Sequence, residues 1–171
     1  MGGGGRRLLV MRHAKAETVA PTDHARRLVH RGVRDAEEAG RWARAEDLLP
    51  DHAFVSTASR AVETWSAFRE AAGLDVDAEL DGSLYAAGPD GAIGLLRTAP
   101  ADARTVMVVG HNPTMAQLAH LLDDGTADPD AFAGLTAGFA TSAVAVLEVP
   151  GEWAGLDHAT ARIVALHLGR A

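Results

Sequence analysis

The stretch LLVMRHA at residues 8–14 decides the fold prediction, because an apolar run stops there at an arginine–histidine pair. The stretch VMVVGHNP at residues 106–113 shows the same arrangement, an apolar run followed by a histidine. In an open α/β sheet the carboxyl ends of the strands form the ligand crevice. We therefore expect His13 and His111, which follow two such strands, to meet over one ligand.

A third string, STASRA at residues 56–61, follows the short apolar segment 53–55 and brings Arg60 to the same edge of the sheet. Arginine presents a planar fork of N–H donors that fits phosphoryl oxygens, so Arg12 and Arg60 are predicted phosphate ligands. A neutral imidazole is a competent nucleophile near pH 7, which makes His13 the predicted nucleophile through a phosphohistidine that water hydrolyses. His111 is expected to stabilise the charge of the transition state.

The rest of the chain alternates strand-like apolar runs with helical patterns, which predicts βαβ units around a mostly parallel sheet. The predicted strands cover about 7–12, 53–56, 75–80, 105–109, 141–149 and 161–168, and the predicted helices about 30–48, 59–72, 92–98 and 113–122. The last two strands are expected to pair as a hairpin that gives the sheet an antiparallel edge. Residues 123–138 are expected to form a loop.

Length and composition favour a single globular domain. The chain has 171 residues, of which 47% are hydrophobic and 23% charged, and residues 1–171 are expected to form one domain with a flexible lead-in at 1–6. The four glycines at 2–5 precede the first strand, so they do not form a dinucleotide fingerprint, whose glycines follow a strand.

Charge and cysteine content exclude several functions. A formal net charge of −7 argues against general nucleic-acid binding, and no apolar run reaches the length of a membrane span. The chain has no cysteine, which removes disulfides, thiolate metal sites and cysteine nucleophiles. We therefore expect a cytoplasmic protein that needs no metal or other cofactor and binds neither nucleic acid nor membrane. The sequence leaves the oligomeric state undetermined.

Three motifs in this order, RHA at 12–14, SxxxRAxxT at 56–64 and GHNP at 110–113, resemble the histidine phosphatase superfamily, also called phosphoglycerate mutase-like. The opening RHAKA and the segment DxxRxLxxRG at 23–32 resemble its SixA-type branch of phosphohistidine phosphatases. The resemblance covers about residues 8–122. It implies a three-layer α/β/α sandwich, and it implies the same roles for Arg12, His13, Arg60 and His111.

The chain also departs from the family pattern. Arg27 and Val29 stand where the branch often has proline and threonine. Mutase-type and phosphomonoesterase-type members carry a glutamate after the third strand that protonates the leaving oxygen, whereas this chain offers Glu79, Asp81 and Asp90 outside any family motif. Since imidazole is a far less basic leaving group than an alkoxide, a site without a dedicated acid should favour phosphohistidine over sugar phosphates.

The sequence therefore predicts a metal-independent phosphatase that acts on a phosphorylated substrate, with a phosphohistidine-bearing protein as the leading choice. A general small-molecule phosphomonoesterase of the same fold is an alternative. A non-catalytic module that binds phosphate or a phosphoprotein is another, although binding alone needs no nucleophile.

Overall fold

The computed structural model describes residues 5–170, and over that range a six-stranded sheet lies between two layers of helices. Its strands are β1 (Arg6–Arg12), β2 (His52–Ser56), β3 (Glu79–Asp81), β4 (Thr105–Gly110), β5 (Ala143–Val149) and β6 (Arg162–Leu168). Its helices are α1 (His30–Ala45), α2 (Ser59–Ala72), α3 (Ser83–Ala86), α4 (Pro89–Leu96), α5 (Thr114–Leu122) and α6 (Pro129–Ala137). A single 3₁₀ turn, Trp153–Gly155, precedes β6.

The strand order is β3-β2-β4-β1-β5-β6. The first four strands in this order run parallel, while β5 is antiparallel to both β1 and β6. This confirms the mostly parallel sheet with an antiparallel edge. Because β1 and β4 are neighbours with Arg12 opposite Gly110, the two strands end side by side.

Strand β1 shows why helices cover both faces of the sheet. Its four central residues are all fully buried, but Leu8 and Val10 belong to one core cluster, and Leu9 and Met11 belong to the other. Successive side chains of a strand point to opposite faces, so a continuous apolar run requires two covered faces. Helices α1 and α2 contribute to one cluster, and α4, α5 and α6 contribute to the other. The three-layer α/β/α sandwich is confirmed.

Close packing of α1 on α2 fixes the helix that carries Arg60. A Cβ on Gly40 of α1 would lie 2.3 Å from the backbone oxygen of Phe68 in α2, so only glycine allows this approach. Helix α2 spans the residues predicted for it and ends at Gly73, whose φ of 67° is the left-handed conformation of a C-cap glycine. Arg60 therefore lies in the first turn of a firmly packed helix.

The structure corrects several predicted boundaries. The predicted loop at 123–138 contains α6, whose start is capped by the Asp128 side chain accepting from the backbone N–H of Ala131 at 2.9 Å. The third strand is only three residues long, and the predicted start at 75–78 is irregular, with Asp75 and Asp77 exposed beside Arg69. Helix α1 ends at 45 rather than 48, α4 ends at 96 rather than 98, and α3 was not predicted.

The N-terminal lead-in is only partly described. Residues 1–4 lie outside the described range, and the prediction of flexibility there stays a prediction. Strand β1 already begins at Arg6, whose guanidinium donates to the backbone oxygens of Gly151 and Ala101 at 2.9 and 3.1 Å. That residues 1–171 form one domain likewise stays a prediction.

Candidate active site

The two histidines of the sequence motifs meet at the ends of the central strands. The backbone N–H of His13 donates to the Gly110 oxygen at 2.9 Å, which extends the β1–β4 pairing by one residue. The imidazole rings of His13 and His111 are 5.2 Å apart between centroids, and both residues are buried. The parallel pairing of β1 with β4 therefore brings together two histidines that are 98 positions apart in the sequence.

The hydrogen bonding of His13 leaves one ring nitrogen available for attack. Nδ1 lies 2.7 Å from the backbone oxygen of Ala14, and a carbonyl can only accept, so Nδ1 carries the proton. Nε2 is then the nitrogen with a free lone pair. Burial, which is the main cause, and the charges of His111, Arg60 and Arg12 lower the pKa of His13 to about 3, against an opposing effect of the Ala14 bond. His13 is thus neutral at pH 7 without a general base.

His111 is oriented as an N–H donor by Ser56 at the end of β2. The Ser56 hydroxyl accepts from the backbone N–H of Ala58 at 3.3 Å, so its own hydrogen is available for Nε2 of His111, 2.8 Å away. That bond places the ring proton on Nδ1, which is buried and has no hydrogen-bond partner within residues 5–170. Burial first, then the charge of Arg60, lowers the pKa of His111 to about 4, so the donor is a neutral imidazole.

The two arginines lie beside the histidines, and each has an unused donor. The Nε groups of Arg12 and Arg60 are buried without a hydrogen-bond partner in the described part of the chain. Arg12 donates through Nη1 to the Phe139 oxygen at 3.2 Å, which anchors its outer end. Buried unpartnered N–H donors are rare in proteins, and these two Nε groups and Nδ1 of His111 make three beside one histidine pair. The oxygens of a phosphoryl group would satisfy them.

Threonine 64 of the third motif has a structural part in this arrangement. Its Oγ1 accepts from the backbone N–H of Ala14 at 2.9 Å and donates to the Arg60 oxygen at 2.6 Å. The loop after β1 is thereby tied to the first turn of α2. These two bonds fix the separation of the predicted nucleophile from the predicted phosphate ligand Arg60.

The side chain of Arg26 anchors the loop that precedes α1. Its Nη1 donates to the Glu17 oxygen at 2.9 Å, and its Nε lies 3.1 Å from Oδ1 of Asp23. Asn112 likewise orients backbone, because its amide nitrogen donates to the Phe139 oxygen at 2.8 Å and its amide oxygen accepts from Ala116 at 3.3 Å.

Glu79 and Asp81, two of the three carboxylates that the sequence offers as leaving-group acids, are engaged away from the site. Glu79 lies 3.2 Å from Nε2 of His52 at the edge of the sheet. Asp81 accepts from the backbone N–H of Ser83 at 2.8 Å, and hydrogen bonds to Ser83 lower its pKa. Neither group has a contact with His13, His111 or the two arginines among the hydrogen bonds and ion pairs of residues 5–170.

Two residues that sequence reasoning did not single out complete the site. Asp23 binds Arg60 twice, through its backbone oxygen to Nη1 at 2.8 Å and through Oδ2 to Nη2 at 3.1 Å. Tyr85 of α3 donates its hydroxyl to the same Oδ2 at 2.5 Å, and its ring meets the His111 ring edge-on at 5.5 Å. Asp23 stands in the segment that resembles the SixA-type branch, but no local signal marks Tyr85.

Within residues 5–170 no group of three or more histidine, cysteine, aspartate or glutamate side chains is arranged to hold a metal ion. No helix of the described range is both long and apolar enough to cross a membrane.

The fold and the paired histidines define a phosphoryl-transfer protein of the α/β class, and comparison with known proteins agrees. No family model matches the chain. An uncharacterised protein of Mycobacterium tuberculosis is 37% identical over 162 residues, which cover 94% of this chain and all of that protein. A candidate phosphohistidine phosphatase SixA from Nakamurella multipartitia is 36% identical, with a TM-score of 0.88 over 99% of both chains.

A second solved structure, a candidate phosphohistidine phosphatase SixA from Agrobacterium tumefaciens, is 30% identical. Its TM-score is 0.78, and the match covers 95% of this chain and 97% of that one. The chain belongs to the histidine phosphatase superfamily, in its SixA-type branch, and is a phosphatase.

Proposed function

We propose that this chain hydrolyses phosphohistidine on a protein substrate, with His13 as the nucleophile. The observation that carries the proposal is the His13 tautomer, since the 2.7 Å bond from Nδ1 to the Ala14 oxygen leaves Nε2 as a neutral nucleophile at pH 7. A binding module would not need this arrangement. The similarity to two proteins described as phosphohistidine phosphatases SixA supports phosphohistidine as the substrate class.

The first step forms a bond from Nε2 of His13 to phosphorus and breaks the P–N bond of the substrate. If the second nitrogen of the substrate imidazole carries a proton, the leaving group departs as neutral imidazole, and no proton has to be delivered to the breaking bond. Arg12, Arg60 and Nδ1–H of His111 donate to the phosphoryl oxygens. Because the site is buried, these donors stabilise the negative charge of the transition state more strongly than they would in water. The proton on Nδ1 of His13 stays in place throughout.

The second step is attack of water on the phosphorus of phospho-His13. The Nε2–P bond breaks, inorganic phosphate leaves with both protons of the water, and His13 returns to the neutral form that began the cycle. The electron pair of the broken bond returns to Nε2. Neither step requires a general acid, which matches the engagement of Glu79 and Asp81 elsewhere.

Asp23 is the carboxylate nearest to this chemistry, and its electrostatics argue against an acid role. The hydrogen bond from Tyr85, followed by the contacts with Arg60 and Arg26, holds the pKa of Asp23 below its usual range. It is therefore ionised at neutral pH. An alkoxide leaving group would depart from this site without proton donation, so alkyl phosphate esters should be poor substrates.

The test is phosphate release from a phosphohistidine-bearing protein and from a simple alkyl phosphate, with EDTA present, for the wild type and His13→Ala. We expect release from the phosphohistidine only, abolished in the variant. Faster release from the ester would favour a general phosphomonoesterase. Phosphate binding without release from either substrate would favour a binding module.

We propose a cytoplasmic location, supported by the absence of cysteine from all 171 residues.

A further inference from the structure

The Arg60 guanidinium is held at one end, and this decides which of its donors can face a phosphoryl group. Nη1 and Nη2 each give a hydrogen to Asp23, at 2.8 and 3.1 Å. A guanidinium has five N–H donors in a fixed plane, so three remain, and two of them, Nε–H and a hydrogen of the adjacent Nη group, form a fork along the Nε–Nη edge. The Nε group on that edge is the buried one without a partner in the described range.

The Asp23 carboxylate that holds Arg60 is itself exposed, with 56% of its side chain accessible, whereas 7% of the Arg60 side chain is accessible. An exposed carboxylate on a loop is not rigid by itself. Two contacts fix it, the ion pair from Arg26 to Oδ1 at 3.1 Å and the hydroxyl of Tyr85 to Oδ2 at 2.5 Å. The Tyr85 bond is the shorter one and falls on the same oxygen that accepts from Arg60.

Tyr85 also contacts the site through its ring. The Arg60 guanidinium carbon lies 5.9 Å from the ring centroid, within the range of a cation–π contact. The ring meets the His111 ring edge-on at 5.5 Å and an interplanar angle of 81°. Helix α3 thus closes onto the loop around Asp23 directly beside two of the predicted catalytic groups.

We propose that Tyr85 is a positioning residue, whose hydroxyl fixes the Asp23 carboxylate so that Asp23 holds the Nε–Nη edge of Arg60 toward the phosphoryl group. The inference rests on the proposed function, since it assigns Arg60 to the phosphoryl group. Tyr85 does not act as a general acid here, because the Asp23 bond keeps its proton in place and raises its pKa above the ordinary value.

The kinetic test compares Tyr85→Phe with Ser83→Ala, the matched control. Both remove a hydroxyl of α3 that is hydrogen-bonded to a carboxylate, but Ser83 binds Asp81 and has no contact with Asp23. Phenylalanine keeps the ring packing on Arg60 and His111. We expect kcat on the phosphohistidine substrate to fall about tenfold in Tyr85→Phe with KM changed less than about threefold, because a misdirected donor loses most in the transition state. Wild-type kcat in Tyr85→Phe would overturn the proposal.

A double variant separates positioning through Asp23 from a local effect of Tyr85. If Tyr85 acts through Asp23, its hydroxyl should matter little once Asp23→Asn has weakened the link, so the two losses in kcat should not multiply. We expect Tyr85→Phe to lower kcat less than about twofold in the Asp23→Asn background. Losses that multiply would overturn the proposal.

Tyr85 is the only tyrosine of the chain, which gives a spectroscopic reading of the link. Tyrosinate absorbance near 295 nm reports its ionisation directly, and we expect the pKa to lie above about 10 in the wild type and to return toward about 10 in Asp23→Asn. This titration reports the Tyr85–Asp23 hydrogen bond itself, and the kinetic comparison reports whether that bond positions Arg60. An identical pKa in both proteins would overturn the Tyr85–Asp23 link.

Calorimetric binding of inorganic phosphate needs no turnover and separates this inference from the proposed function. We expect about fivefold weaker phosphate binding in Tyr85→Phe and unchanged binding in Ser83→Ala, since only the former loosens Arg60. If the wild type binds phosphate but does not hydrolyse phosphohistidine, the proposed function fails and the difference between these variants still tests Tyr85. Equal phosphate affinity in both variants would overturn the inference alone.

Discussion

Acidification should unfold this protein through the two site histidines, and His13→Asn isolates half of the effect. Burial lowers the pKa of His13 to about 3 and that of His111 to about 4 in the folded chain, while an unfolded chain has a histidine pKa of about 6.5. Between these values the unfolded chain binds more protons than the folded one. The stability that the neutral imidazoles confer is therefore complete above pH 6.5 and lost as the pH falls toward 4 and then 3.

The magnitude follows from linkage. Each pKa unit corresponds to about 1.4 kcal/mol, so at pH 5, about 1.5 units below the unfolded value, each histidine has lost about 2 kcal/mol. Both together give a loss of about 4 kcal/mol between pH 7 and pH 5, a large share of the 5–15 kcal/mol of a typical domain. In His13→Asn the loss over the same interval should be smaller by about 2 kcal/mol.

Urea unfolding followed by the fluorescence of the three tryptophans at pH 7, 6 and 5 measures these differences. His30→Asn is the matched control, because it removes an imidazole that lies at the surface. The reasoning is refuted if the wild type and His13→Asn lose the same free energy of unfolding between pH 7 and pH 5. His13 would then be protonated in the folded chain, and the proposed nucleophile would not be neutral by burial.

Three further outcomes are expected. Arg60→Lys keeps the charge but loses the planar fork, so kcat on a phosphohistidine substrate should fall about 100-fold, which steady-state kinetics checks against an unchanged melting temperature. Ser56→Ala removes the group that places the proton of His111 on Nδ1, so kcat should fall about tenfold; wild-type kcat would contradict this tautomer. Gly40→Ala should lower the free energy of unfolding by more than about 2 kcal/mol, because the added methyl group would clash with Phe68. Gly94→Ala, which adds a methyl group in open space on α4, should instead raise it by about 0.5–1 kcal/mol. The same urea experiment measures both.

The central sheet was predictable because its strands are continuous apolar runs. Residues 8–11 and 106–109 are fully buried on both faces, so burial alone requires their hydrophobicity. Arg12 marks the end of the first run, and Gly110 followed by His111 marks the end of the second. Helix α2 was also predictable, since Gly73 supplies a definite stop. Helix α6 was missed, although Asp128 followed by Pro129 is the ordinary signature of an N-cap and a first turn.

The site was predictable only where a strand end or a motif marks it. Arg12 ends β1, and His13 and His111 lie just after β1 and β4, so their meeting follows from sheet topology. The contact from Tyr85 to Asp23 joins residues 62 positions apart, one on a four-residue helix and one on an irregular loop. No hydrophobic period sets that distance, so only the packed structure reveals it.

The most direct test of the account is to look for the phosphoryl group on His13 during turnover. The wild type is mixed with a phosphohistidine-bearing protein, quenched in alkali to preserve the P–N bond, digested and examined by mass spectrometry, with His13→Asn treated in parallel. The account predicts one phosphoryl group on the peptide that contains His13 in the wild type, and neither phosphoenzyme nor phosphate release in the variant. Phosphate release by His13→Asn at the wild-type rate would contradict it.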